Sequence, residues 1–539
     1  MERESIMAYS GSVENRGTIR LKREELFYYL FFGIMFLAKG IGMDSGQRLF
    51  QLCMLLSVGC FLIKLCLTGH TFKEWFAIGT LILWGFLIRH YSGKEEALWA
   101  MLIITGMKDV PLKRLMTFCA GIWSGTFVCS VATGILHIRD GVVVVHQKLG
   151  LGPIVRWSLG YTHPNVLHVS YFIFVALLIY AFEWHGKRLW KASALLWIGN
   201  CIIFLYSVSY TGILIVTVYL ALSVYLDSRK RLTVAECILW TMAAAFLILF
   251  PIAGPLWLEG HKHNVFMFFN ELFSYRFEQV YNIFHEYPLS VFGTNVVFTG
   301  NAHLTLDSSF AYLLMYYGVA GFGLFVAGFL YLAYRYSRTN RKKELAITFA
   351  IILAGVTEQF LFNLSFKNLL FFFLGEALFT DILRSDKRGG FQGRSFSVLP
   401  SGDREIRFSL PEGWYAGENY IKGHIKHILL AGALLAVLGA GLCGVTGKEW
   451  DSVYIYRWNT DYRSEDKVTL DMDNLPENFN SLVLGYHGPE GEMFELSGNI
   501  VKLERVRDVI GSAILGGIAG IFLTAGSCIL IGRKQMKHQ

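Results

Sequence analysis

The sequence predicts an all-α polytopic membrane protein of about fourteen spans, with both termini in the cytoplasm and two long polar loops outside. Three observations predict it. Apolar runs such as 235–256 and 308–333 are long enough to cross a hydrocarbon layer about 30 Å thick, given a helical rise of about 1.5 Å per residue. Charge is scarce: 17% of the 539 residues are charged and 54% are hydrophobic, where a soluble chain carries about 25% charged residues. The cations are also sorted. They cluster at Arg16 to Arg23, Lys187 with Arg188, Arg229 to Arg231, Arg335 to Lys343, Lys387 to Arg394 and Arg533 to Lys537, the pattern of segments that stay on the cytoplasmic side.

Taken in order, spans are expected near 25–42, 48–68, 74–90, 95–107, 113–136, 166–182, 190–207, 209–226, 235–257, 308–333, 345–362, 367–383, 427–446 and 508–532. With the N-terminus inside, the basic connections 183–189, 227–234, 334–344 and 384–426 all fall inside, and 137–165 and 258–307 fall outside. Removing one span would misplace half of the basic connections, so charge supports the even count. Residues 1–24 read as a cytoplasmic segment with no cleaved signal peptide, because they lack a small-residue cleavage site. The body is 25–383. Segment 384–426 mixes Arg, Lys, Gly, Ser and Pro and reads as a cytoplasmic linker. Beyond it, 427–532 reads as a two-span hairpin displaying an external module, 447–507. Runs such as Val453 to Tyr456, Val468 to Met472, Leu482 to Leu484 and Met493 to Leu496 alternate like short strands there.

The net charge of +8 is a topology signal rather than a nucleic-acid signal, since no helix-turn-helix or RNA-binding pattern accompanies it. All nine cysteines lie within or beside apolar runs. That predicts neither a disulfide framework nor a thiolate metal site, and an external module without cysteine suits a bacterial surface. No Gly-rich phosphate loop and no metal-ligand cluster is present, so neither cofactor nor metal is expected.

The two outer loops hold the candidate chemistry. The first carries Arg139, Asp140, His146, Lys148, Arg156 and His163; the second carries His261, Lys262, His263, Glu271, Arg276, Glu278, His285, Glu286, His303 and Asp307. Cations outside break the positive-inside pattern, and they suit either an anionic ligand or lipid headgroups. Between Phe266 and Tyr287 the spacing is helical, and Arg276 falls within the apolar arc formed by Phe269, Leu272, Phe273, Phe277, Val280, Ile283 and Phe284. Its guanidinium either snorkels to phosphates or turns into the protein, where it needs an anion. His303 and Asp307 share a face if the span at Ser308 extends backward by one turn; Asp307 with Ser308 reads equally as an N-cap. His303 has the right titration range to take a proton from a sugar hydroxyl. His163-Pro164-Asn165 opens a span with proline in its first turn. Glu358 and Asn363 end an apolar span, where an ionisable group is a functional candidate and an interhelical hydrogen bond is the simpler alternative.

These residues resemble a known family. Gly160-Tyr161-Thr162-His163-Pro164-Asn165 opening a span, and His303-x-x-x-Asp307-Ser308-Ser309-Phe310-Ala311-Tyr312-Leu313-Leu314-x-x-x-Gly318-Val319-Ala320-Gly321 closing the second loop, look like the O-antigen ligase and polymerase superfamily over roughly 25–383. The resemblance implies a GT-C-like, metal-independent glycosyltransferase body of about 12 spans. Such an enzyme takes glycan from undecaprenyl diphosphate and transfers it to a lipid-linked acceptor (polymerase) or a different acceptor (ligase). It would work in a bacterial, Gram-positive cytoplasmic membrane, among membrane lipids and polysaccharide-assembly partners such as a flippase and a chain-length regulator. It implies that Arg276, Arg156 and Arg139 hold the diphosphate and that His303, with Asp307 and Arg276, is catalytic. His163, Asn165, Tyr210 and Glu358 would contact the glycan. Where many members carry Ser-Arg-Thr, this chain reads Ser207-Val208-Ser209-Tyr210-Thr211-Gly212, and Tyr210 can replace only part of the arginine. The C-terminal hairpin resembles, in layout alone, the chain-length regulators of polysaccharide synthesis. A lipid-linked oligosaccharide flippase is the alternative from another class, but transporters show internal repeats and midplane charge.

Overall fold

The computed structural model describes residues 18–43, 46–136, 138, 143–148, 152–296, 306–383, 395–399, 405–409, 412–446, 454–458, 485–488, 491–495 and 498–537. It is mostly helical. A short strand, β1 (Thr18–Lys22), leads into α1 (Arg23–Gly40), α2 (Arg48–Leu67), α3 (Phe72–Ser92), α4 (Glu96–Thr105) and α5 (Leu112–Ile135). A strand hairpin follows, β2 (Val143–Lys148) with β3 (Gly152–Trp157), paired antiparallel with Val144 opposite Arg156. Then come α6 (Pro164–Phe182), α7 (Gly186–Ser207), α8 (Tyr210–Ser228) and α9 (Val234–His261). Two short helices, α10 (His263–Leu272) and α11 (Arg276–Glu286), precede α12 (Ser309–Arg338), α13 (Lys342–Gly355) and α14 (Leu370–Ala377). Strand β4 (Glu405–Ser409) lies between the body and a long hairpin of α15 (Glu412–Thr446) and α16 (Gly498–Lys537), whose tip carries β5 (Tyr454–Trp458), β6 (Gly485–Gly488) and β7 (Gly491–Glu495) in the order β5-β7-β6.

A helix stands at every place where the sequence predicts a span. Among the described residues nine are long and apolar enough to cross a membrane by length and composition. The helix starts are chemically marked. Capping boxes at Thr71 with Glu74 and Thr233 with Glu236 open α3 and α9, and Ser308 caps α12, each satisfying amide groups that the first turn leaves free.

Burial separates centre from rim. The most apolar stretch of α6 is 67% buried, whereas those of α15 and α16 are each 11% buried. Around α6 lies one continuous core that includes Phe32, Phe36, Trp123, Phe172, Phe310 and Phe329. Outward faces show single large apolar side chains such as Leu55, Phe76, Leu195 and Val437, as helices facing lipid do.

Three expected spans are shorter than drawn. Helix α4 has 10 residues, α13 has 14 and α14 has 8. Between α13 and α14 the chain runs through a short 3-10 turn and an irregular segment, because side chains there take the main-chain bonds. Asn368 donates to the Leu361 carbonyl at 2.9 Å and Ser365 to that of Phe360 at 2.8 Å. Irregular backbone inside a bundle is tolerated where such bonds replace the helical ones.

The linker is also more than a tether. Thr18 to Lys22 pair with Glu405 to Ser409 in an antiparallel ladder, and the amide and carbonyl of His70 bond those of Phe396 at 2.9 and 3.0 Å. Of the strand runs expected at the tip, 468–472 and 482–484 lie outside the described residues; Tyr454–Trp458 and Gly491–Glu495 overlap the other two.

Candidate functional site

Five predicted side chains meet at one end of the bundle, where the 137–165 and 258–307 connections lie. Arg276 enters from α11, Asp307 precedes α12, Glu358 follows α13, Asn165 is in the first turn of α6, and Arg156 is on β3. The Arg276 Nε donates to Asp307 Oδ2 at 3.2 Å, and another guanidinium nitrogen reaches Glu358 Oε1 at 3.4 Å. Asn165 Nδ2 donates to the same Glu358 oxygen at 3.1 Å, while its Oδ1 accepts from Arg156 at 2.5 Å. Arg156 Nε donates to the Ser207 carbonyl at 2.7 Å. The result is a continuous chain of hydrogen bonds: Arg156, Asn165, Glu358, Arg276, Asp307.

Local structure explains each placement. The expected single helix over 266–287 is two helices, because Ser274 and Tyr275 adopt left-handed backbone angles of φ 55 and 64. The buried Asn270 side chain then bridges the break, accepting from the Glu278 amide at 3.0 Å and donating to its carboxylate at 3.3 Å. Arg276 therefore begins α11 and turns inward rather than snorkelling outward. Helix α12 starts at Ser309, with 306–308 non-helical, so the backward turn that would place His303 and Asp307 on one face does not reach Asp307. Ser308 rather than Asp307 provides the cap, accepting from the Ala311 amide, and the Asp307 carboxylate pairs with Arg276. Ser309 pins the backbone of Glu358 by donating to its carbonyl.

Arg156 is 2% exposed. Burial, with help from Arg276 and opposed by Glu358, pushes its guanidinium down to about 10, so it remains a cation at neutral pH. The cluster balances two guanidinium groups against two carboxylates. Its Arg276 contacts are longer than the 2.7–2.9 Å typical of charge-assisted bonds.

The other candidates divide. His163 accepts from the Asn165 amide at 3.2 Å and acts as the α6 cap. Tyr210 stacks on Phe204 with centroids 6.0 Å apart. His303 and Arg139 lie outside the described residues, as does Asp140. His261, His263, His285 and Glu286 are exposed.

Sequence reading missed several participants. His168, fully buried, contacts Ser207 Oγ at 2.9 Å and Asn200 Oδ1 at 2.7 Å. Asn200 donates its own amide to the Ile213 carbonyl, which leaves its oxygen to accept from His168 Nε2–H, and Nδ1 then accepts from Ser207. Lys367 is 5% exposed, with its ammonium 5.7 Å from the Trp123 ring centroid and with Lys39 and Glu358 as the charges acting on it. A histidine inside an apolar run and a lysine at the start of one were the available signals.

Among the described residues no group of three or more His, Cys, Asp or Glu side chains is placed to hold a metal, and all nine cysteines are free. No family model, curated protein or solved structure matches this chain. Fold and composition define the class: a multi-pass, mostly helical membrane protein. Any narrower assignment rests on the site.

Proposed function

We propose that this protein is a cell-surface polysaccharide polymerase of the membrane glycosyltransferase type. It moves glycan from undecaprenyl diphosphate to a sugar hydroxyl of a lipid-linked acceptor, on the outer face of a bacterial cytoplasmic membrane. The observation that carries this reading is the convergence of Arg276 and Arg156 with Asp307, Glu358 and Asn165 in one partly buried cluster. In the proposed topology there are about fourteen spans with both termini in the cytoplasm, which puts the cluster outside.

The chemistry needs two things at once: charge stabilisation on the leaving diphosphate and a base for the attacking hydroxyl. On arrival of the donor, the Arg276 fork turns to the diphosphate, where a planar double donor matches a pair of phosphate oxygens. That frees Asp307. As the acceptor oxygen bonds to the anomeric carbon, the bond from that carbon to the diphosphate breaks and the diphosphate takes the electron pair. The hydroxyl proton passes to Asp307 or to His303, the base that the family resemblance points to. Glu358 and Asn165 hold the guanidinium groups in register.

Purified protein given a lipid-linked repeat unit should build a ladder of longer products. Arg276→Ala and His303→Ala should each abolish the ladder while the protein is still made. Normal ladders from both variants would defeat the site assignment, one larger product would mean a ligase, and transbilayer movement without elongation would mean a flippase.

A further inference from the structure

The C-terminal hairpin touches the body through a buried ion pair. Glu504 and Arg507, one turn apart on α16, are 3% and 2% exposed and bond each other. Each also bonds the body. Trp157 Nε1 donates to Glu504 Oε2 at 2.9 Å, Arg507 Nε donates to the Leu205 carbonyl at 2.7 Å, and the Tyr206 hydroxyl donates to the Arg507 carbonyl. Gly511, one turn further along, lets α16 lie close to Ile135 of α5 and to Tyr206.

The partners chosen on the body are the neighbours of Arg156 and of its acceptor. Trp157 follows Arg156 on β3, and successive strand residues point to opposite faces. Holding Trp157 against Glu504 therefore fixes the face from which Arg156 looks into the cluster. Leu205 and Tyr206 immediately precede Ser207, whose carbonyl receives Arg156 Nε. Both sides of the Arg156 contact are thus held by the same two residues of α16. An ion pair this buried is a poor device for stability alone, because apolar residues of similar volume often serve as well or better.

We propose that Glu504 and Arg507 are positioning residues for Arg156, which makes the hairpin part of the frame of the diphosphate site; this rests on the reading of that site given above. The test is binding of farnesyl diphosphate to the full-length protein in detergent micelles. Glu504→Leu combined with Arg507→Met removes the charges together and leaves no unpaired ion, so the fold should hold, as a thermal unfolding scan will show. Arg156→Ala should weaken binding about tenfold, the scale of one buried charged hydrogen bond. The double variant should weaken it by a similar factor, and combining it with Arg156→Ala should add nothing, since coupled residues do not add. Wild-type affinity in a folded double variant overturns the positioning role and leaves the site reading intact, as does an additive loss with Arg156→Ala. Wild-type affinity in both Arg156→Ala and Arg276→Ala overturns the diphosphate reading itself, and the positioning role with it.

Discussion

Asn165 shows how one side chain can hold two charged groups. Its carbonyl oxygen satisfies Arg156 and its amide satisfies Glu358, so Asn165→Ala strips a partner from both. A buried group left without its hydrogen bond costs about 1–3 kcal/mol. The elongation rate should therefore fall by roughly one to two orders of magnitude, with Asn165→Asp no better, because a third carboxylate would face Glu358. Initial rates on the lipid-linked substrate check this; an unchanged rate in Asn165→Ala would remove the bridge from the mechanism. The sequence places Arg276 in an apolar arc but leaves open whether it turns out or in. Its partners are 31 and 82 positions away, and no local pattern encodes pairings at that separation. Lys367 escaped notice for a similar reason: one lysine at the start of an apolar run looks like a span boundary until the fold buries it against Trp123.

At the scale of elements, helix α12 illustrates a break that composition hides. Gly318 has φ 75 and ψ 176 in the middle of it, and a Cβ there would lie 2.3 Å from the Val291 carbonyl oxygen. The break lets the segment after α11 dock. Val319 and Ala320 donate their amides to Ser290 and Val291 at 3.0 and 3.2 Å, and Thr294 donates to Met315 at 2.9 Å. Those bonds set the distance between α11, which begins with Arg276, and the start of α12 beside Asp307. Gly318→Ala adds strain of about 1–3 kcal/mol from the backbone angle, before any clash. Gly323→Ala, whose Cβ meets nothing within 4 Å, should be neutral or slightly stabilising, as alanine is in a helix. Unfolding in a denaturing detergent series should separate the two variants by at least the strain term; matching midpoints would show that Gly318 holds no strained junction. Gly328 serves close packing, since a Cβ there would meet Leu374 at 2.8 Å; Gly318 serves the break instead, and its positive φ leaves no trace in hydropathy.

For the whole molecule, the places of the helices are legible because apolar length and basic punctuation are properties of short windows. Contacts between distant windows are not. The pairing of residues 18–22 with 405–409 joins the first described strand to the linker, and nothing in either segment alone announces it. At that same end, opposite the cluster, Arg335 and Arg341 share Glu376 at 3.1 and 2.6 Å, with Glu344 and Asp381 close by. Two cations of that basic cluster are therefore paired, yet the cluster still marks a side of the membrane, because orientation responds to Lys and Arg and little to Asp and Glu. The two ends must then label from opposite sides. Thr162, exposed beside the cluster, and Arg231, exposed at the opposite end, provide the probes as Thr162→Cys and Arg231→Cys. In intact cells a membrane-impermeant maleimide should react with the first, and with the second only after permeabilisation. The native cysteines, set in or beside apolar runs, give the background in the parent protein. The reverse labelling would turn the molecule over, place the cluster in the cytoplasm and end the case for a surface polymerase.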